Sequence, residues 1–247
     1  MFKLSPFRLK TFRQCRRRYK YRYVERIPSR PSAYNTVGAH VHSALKLFFQ
    51  SVPPDQRLPQ RLLDLLLEQW QTNRAGFLSL EDEEQWRERA LGMLRRFGEE
   101  QDLTAQPLVL EGYFELALNP RLAIIGRVDR VDQENGALHI IDYKTGRQPN
   151  EVDDHQLHLY TVLLERQLLQ PVARASYLYL EDGKPWSVTP TPERLEESLE
   201  TAEAAYREMI SERQYAADVG RHCAFCEYQS ICPRREEIIG RRLAEGW

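Results

Sequence analysis

No run of apolar residues in this 247-residue sequence approaches the roughly eighteen that a bilayer-spanning helix needs. The first ten residues, MFKLSPFRLK, lack the continuous apolar stretch of a secretory signal. Both absences point to a cytoplasmic protein with no membrane partner. Cysteine is scarce: four residues in a reducing compartment do not make a disulfide framework, which leaves metal ligands or buried thiols. An excess of one charge is missing as well. Lys plus Arg (35) balances Asp plus Glu (36) to a net −1, so bulk charge names no partner. There is no internal repeat, no low-complexity tract, and no G-x-x-x-x-G-K-[ST] loop. A nucleotide-driven motor is therefore absent from this chain, and any unwinding would fall to a separate helicase. With 42% hydrophobic residues the chain is too apolar to be disordered and long enough to bury a sizeable core.

What is present is unevenly placed. Residues 1–30 carry eleven cations against one anion, Glu25, interleaved with Phe2, Phe7, Phe12, Tyr19, Tyr21 and Tyr23. Cations neutralise phosphates and aromatic faces stack bases, so Arg13, Arg16, Arg17, Arg18, Lys20 and Arg22 are candidate DNA contacts. The plainer alternative is a solvated basic helix face. Ser5-Pro6 predicts an N-cap and a first helical position, opening a helix to about Tyr23. Residues 26–35 read as a loop. An apolar stripe from Val37 to Phe48 predicts the next helix, ended by Pro53-Pro54. Amphipathic helices at 60–77 and 82–101 look like an insert or lid without chemistry of its own.

From Pro107 the pattern changes to strands at 108–118, 122–132 and 137–144, separated by the turn signals Asn119-Pro120 and Asn135-Gly136. A helix at about 153–169, strands near 174–181 and 185–189, and a helix over 192–213 follow. Helices before, within and after the strands indicate an α/β or α+β domain with a mainly hairpin-built sheet.

The hairpin around Asn135-Gly136 is the most informative segment. A two-residue turn there sets Asp129 opposite Asp142 and Arg127 opposite Lys144. Lys144 shares the Asp142 face by alternation, and Asp132 falls on the other face. Two acids facing each other are destabilising without a cation between them, and oxygen ligands converging from two strands suit Mg²⁺ or Mn²⁺. An acid-x-Lys triplet alone is weak, since one arises about once by chance in such a composition. His40 and His42 are two apart and cannot share a helix face, so at most one joins a given site. Gln156 and Tyr160, four apart, do share a face and could hold a phosphate or a base, or simply bond to each other. Cys223, Cys226 and Cys232 form C-x2-C-x5-C, with Cys15 far upstream. Four thiolates fit structural Zn²⁺ as well as an iron–sulfur cluster, and either would staple the basic helix to the tail.

Taken together, LSPFRLKTFRQCRRRYKYRYV, GAHVH, GRVDRVD, IDYKTG, QLHLY and the C-x2-C-x5-C tail resemble the PD-(D/E)XK nuclease superfamily. The likeness is to its RecB-like branch with a cysteine-bound cluster, as in the AddB nuclease domain and the CRISPR-adaptation exonucleases. It runs in family order from Leu4 to Pro233. The resemblance implies an α/β restriction-endonuclease-like core, a central mixed sheet flanked by helices, in one nuclease domain over 1–247: a basic N-terminal helix in 1–35, a helical insert in 52–105, the catalytic sheet and helix in 106–190 and a Cys-cluster tail in 214–247. It implies that His42, Asp129, Asp142 and the Tyr143 carbonyl ligate Mg²⁺ or Mn²⁺. Lys144 would position the attacking water, while Gln156 and Tyr160 orient the strand. Cys15, Cys223, Cys226 and Cys232 would carry a [4Fe-4S] cluster, and Glu111 would be an outer helper at most. The implied activity is DNA exonuclease action, on single-stranded or free ends, in repair, recombination or CRISPR adaptation. The alternative is a non-catalytic adaptor that grips DNA ends with the same fold and cluster.

Overall fold

The computed structural model describes residues 1–247. Phe2–Leu4 forms a short strand, β1, which the sequence does not announce. Ser5 then accepts the Arg8 N–H and Pro6 takes the first helical position, so α1 (Pro6–Gln14) opens as predicted. The helix does not continue to Tyr23. It breaks at Cys15, whose backbone is extended (φ −163°, ψ 113°), and resumes as α2 (Arg16–Tyr19) and a π-turn over Lys20–Val24. The break has a physical reason: a single extended residue lets the Cys15 sulfur accept the Arg18 N–H at 3.5 Å and face the cavity that the C-terminal cysteines line.

Three helices follow. α3 (Ala33–Ser51), capped by Ser32, starts inside the stretch read as a loop. α4 (Pro59–Trp70) and α5 (Leu80–Glu100) complete the set. The remaining elements are β2 (Val109–Asn119), β3 (Leu122–Glu134), β4 (Ala137–Lys144), α6 (His155–Leu168), β5 (Val172–Tyr179), β6 (Lys184–Val188), α7 (Pro192–Ser211) and an unanticipated α8 (Arg235–Glu245). The sheet has six strands in the order β1-β3-β4-β5-β6, with β2 along the opposite edge of β3. β1 and β5 run parallel to their neighbours β3 and β4, while the hairpin pairs are antiparallel, so the sheet is mixed. One apolar core joins α1, α6 and α7 to the sheet; a second gathers α3, α4 and α5 around Tyr143, Leu178 and Leu180. The expected central mixed sheet flanked by helices is present. No helix is long and apolar enough to cross a membrane.

A split in the pairing of β3 positions the site. β2 runs along one edge. On the other edge β1 pairs at Leu122–Ile124 and β4 at Arg130–Glu134, leaving 125–129 without a strand partner there. Asn135 (φ 52°) and Gly136 (φ 82°) are both left-handed, as a type I′ turn requires, and the register from Glu134–Ala137 to Arg130–Ile141 follows the prediction. The predicted continuation to Asp129–Asp142 and Arg127–Lys144 does not form as a ladder. It stops because the Asp129 carboxylate, instead of a backbone carbonyl, takes the Tyr143 N–H at 2.8 Å. α6 closes over the gap. A Cβ at Gly126 would lie 2.6 Å from the Tyr160 ring, so only glycine admits the helix this closely.

Candidate active site

Where β3 and β4 part, a cavity of about 300 Å³ is lined by Tyr34, His42, Arg127, Asp129, Asp142, Tyr143, Lys144, Thr145, Gln156 and Tyr160. Residues from β3, β4, α3 and α6 meet there because the two strands diverge and each helix presents one face to the gap. α6 supplies a bridge. Gln156 donates from Nε2 to Asp142 Oδ1 (2.8 Å) and to the Tyr160 hydroxyl (2.9 Å), and accepts from Lys144 Nζ at 3.0 Å. Gln156 and Tyr160 therefore act first on the acid and the lysine. Tyr160 itself is buried.

Asp142 is 3% exposed. Burial pushes its carboxyl up to about 6; Lys144 opposes the shift and the Asp129 charge adds to it. Lys144 Nζ lies 2.5 Å from Asp142 Oδ2, yet off its hydrogen-bonding direction, so that buried oxygen keeps an unfilled lone pair. His42 Nδ1 sits 3.4 Å from Asp129 Oδ1 and 3.6 Å from Glu111 Oε1. Burial alone would lower its pKa, but hydrogen bonds to Asp129 and Glu111 outweigh it and hold the imidazole near 10. Of the two histidines on α3, His40 instead bonds the Asn73 carbonyl at 2.7 Å in the helical core.

Glu111 joins His42 and Asp129 in this arrangement. One ligand atom each from His42, Glu111 and Asp129 lie within 4.8 Å of one another. Glu111 also has φ +50°, a left-handed backbone that glutamate rarely adopts, where the β2–β3 register skips the pair Glu111–Asp129. Hard oxygen donors, one imidazole and an orphaned buried carboxylate oxygen fit a divalent cation of the Mg²⁺ or Mn²⁺ type. His42 and Lys144 both face the carboxylates across the cavity. Tyr143 lines the cavity, its N–H given to Asp129 and its ring buried.

The four cysteines meet elsewhere. Cys15, Cys223, Cys226 and Cys232 line one cavity with Arg17 and Arg18, all as free thiols. Burial raises Cys223 and pushes Cys226 up to about 11. No three of the sulfurs approach one another as closely as the His42–Glu111–Asp129 atoms do. The chain ends are tied here by Arg17 N–H to the Ala216 carbonyl (3.1 Å), Tyr21 hydroxyl to Ile231 (3.1 Å) and Tyr228 hydroxyl to Ile27 (2.8 Å).

The basic segment differs from a free phosphate-binding face. Arg16 pairs with Glu208 and Glu212, Arg18 and Arg22 with Glu227, and Lys20 with Glu25. Arg17 lies over the Tyr21 ring and lines the cysteine cavity. Arg13 alone of the six is exposed with no ion-pair partner. The pairing has a simple origin: the acids that neutralise this segment come mainly from α7 and the tail, some two hundred residues away in sequence.

The family model for the PD-(D/E)XK nuclease superfamily matches residues 3–233. No curated protein matches. Among solved structures, a protein from Eubacterium rectale described as a "Putative exonuclease" is 12% identical, with TM-score 0.55, covering 84% of this chain and 80% of its own. Another, SSO0001, is 16% identical with TM-score 0.38, covering 93% of this chain and 96% of its own. The first likeness shows the fold; the second carries no argument.

Proposed function

This chain belongs to the PD-(D/E)XK nuclease superfamily, and from that premise we propose that it is a divalent-cation-dependent DNA exonuclease of the RecB-like kind, acting on single-stranded ends in repair, recombination or CRISPR adaptation. One observation carries the reading: Lys144, Asp142, Gln156 and Tyr160 form a continuous hydrogen-bonded and ionic network in the cavity that also holds His42 and Asp129. His42, Asp129, Asp142 and the Tyr143 carbonyl would hold Mg²⁺ or Mn²⁺, with Glu111 as a further carboxylate. When bound, that ion supplies Lewis acidity to a phosphoryl oxygen and lowers the pKa of water.

The chain's own residues do the rest. Gln156 fixes the Lys144 amine by accepting one of its protons, which leaves the others to orient the attacking water and to offset charge developing on the scissile phosphate. Tyr160 fixes Gln156 in turn, so the amine's position is set from α6 and not by a flexible loop. The cavity opens to solvent, as a polymeric substrate requires, while Asp142 stays at its buried end.

A [4Fe-4S] cluster on Cys15, Cys223, Cys226 and Cys232 completes the proposal. Supporting it, one cavity is lined by all four cysteines, Cys15 from the N-terminal segment and the other three from the tail. Brown colour with matched iron and sulfide after anaerobic purification is expected; a colourless, zinc-loaded protein overturns it.

The deciding experiment is digestion of end-labelled single- and double-stranded DNA with Mg²⁺ or Mn²⁺. Lys144→Ala should lower cleavage by about 10²–10⁴-fold with binding retained. Binding without degradation by the unaltered protein would favour a DNA-end adaptor instead.

A further inference from the structure

Beside the cavity, β2 and β3 present two large side chains that no part of the site described above uses. Tyr113 and Arg127 are register partners, so they stand next to each other on one face of the sheet. Arg127 lines the cavity with its side chain 68% exposed, and the acid paired with it, Glu111, is 3.9 Å away. Tyr113 is 55% exposed. Its hydroxyl donates to Glu115 at 3.0 Å, and Glu115 is in turn neutralised by Lys3 at 2.7 Å. The ring is thus anchored at its polar end and surrounded by compensated charge.

The contrast with the N-terminal rings is informative. Arg22 lies over Phe7, Arg17 over Tyr21 and Arg8 over Tyr23, so those aromatic faces are already covered by the chain's own cations. Tyr113 takes part in no such contact and keeps its ring open beside an exposed guanidinium. An arginine fork grips a phosphate through two parallel hydrogen bonds, and an open aromatic ring stacks a base.

We propose that Arg127 and Tyr113 form a subsite for the nucleotide flanking the scissile phosphate, the guanidinium on a backbone phosphate and the ring on the base, and that this subsite selects an unpaired polynucleotide. A base within a duplex has both faces covered by its neighbours, whereas an unpaired base offers a free one to the ring. The location of the scissile phosphate rests on the nuclease reading above; the capacity to bind an unpaired strand does not.

The test measures fluorescence anisotropy of a labelled oligothymidylate, and of a blunt duplex of equal length, with full-length Lys144→Ala protein as the common background. Adding Tyr113→Ala should weaken oligothymidylate binding about tenfold, Tyr113→Phe should restore it, and neither should alter duplex binding. Adding Arg127→Ala should reduce the magnitude of the logarithmic salt slope for the single strand by about 0.7, which Tyr113→Ala should leave unchanged. Equal weakening on both substrates, unchanged single-strand affinity, or no binding of either substrate overturns the subsite. Cleavage by protein with Lys144 intact is followed in parallel. If that protein cuts DNA but Tyr113→Ala binds normally, the subsite fails and the nuclease reading stands. If it never cuts, yet single-strand binding depends on Tyr113, the nuclease reading fails and the subsite stands.

Discussion

The chain gathers its reactive side chains in two places, and the two are built on different principles. At the seam between β3 and β4, each polar group rides on a strand or a long helix: Asp129 on β3, Asp142 and Lys144 on β4, His42 on α3, Gln156 on α6. Opposite charges already face one another there, so the cavity keeps its shape from internal contacts. At the cysteine junction Cys15 sits at a helix break, Cys223 in a short 3-10 turn at Arg221–Phe225, and Cys226 and Cys232 just past that turn and the one at Gln229–Ile231. Burial keeps the Cys223 and Cys226 thiols protonated, so nothing charged draws them together. On the proposed function, the reactive geometry is preorganised by the sheet, whereas at the junction a bound metal would convert thiols to thiolates and hold them.

The strongest challenge to that contrast is Cys226→Ser. Binding of a structural metal is typically linked to about 10 kcal/mol or more of folding free energy, so its loss should free residues 15–30 and the tail after Ser211. Limited proteolysis should cut both segments while the sheet resists; an unchanged digestion pattern would erase the difference between the two regions. Glu111→Gln probes the other side. Mn²⁺ affinity, followed by the signal of free Mn²⁺ in a titration, should fall about 10–100-fold with the unfolding temperature not lowered. A proportional loss of stability would mean that the seam, too, depends on its ligands for shape. Gly126→Ala is the mildest probe. Its methyl would press on Tyr160, costing about 1–3 kcal/mol, and should lower kcat through displaced Gln156 with KM little changed. A neutral result would show that α6 has slack against β3.

Much of the seam is legible in the sequence because its signals are local. Asn135-Gly136 dictates a turn, the turn dictates a register, and the register brings Asp129 and Asp142 to one gap. Gln156 and Tyr160 follow from helical spacing. Glu111 is illegible for a specific reason. The β2–β3 pairing shifts by one between Ala117 and Asn119, so counting back from the turn sets Glu111 opposite Arg130, whereas the shifted register brings it to Asp129. Likewise, Pro6 and the apolar spacing of α1 carry no sign of the break at Cys15, which answers to residues at the far end of the chain. The pairing of the basic segment is hidden on the same account: Glu208, Glu212 and Glu227 neutralise it across distances that composition does not reveal. β1 is three residues long and depends entirely on its partner β3.

Glu111 has one more consequence. Its left-handed backbone costs a non-glycine residue about 1–2 kcal/mol, a strain retained in the folded protein. Glycine at 111 would relax the chain and delete the carboxylate in the same step. On the proposed function, heat resistance and cation binding therefore pull this position in opposite directions, and selecting variants for robustness alone would drift toward sturdier proteins that hold the ion less well.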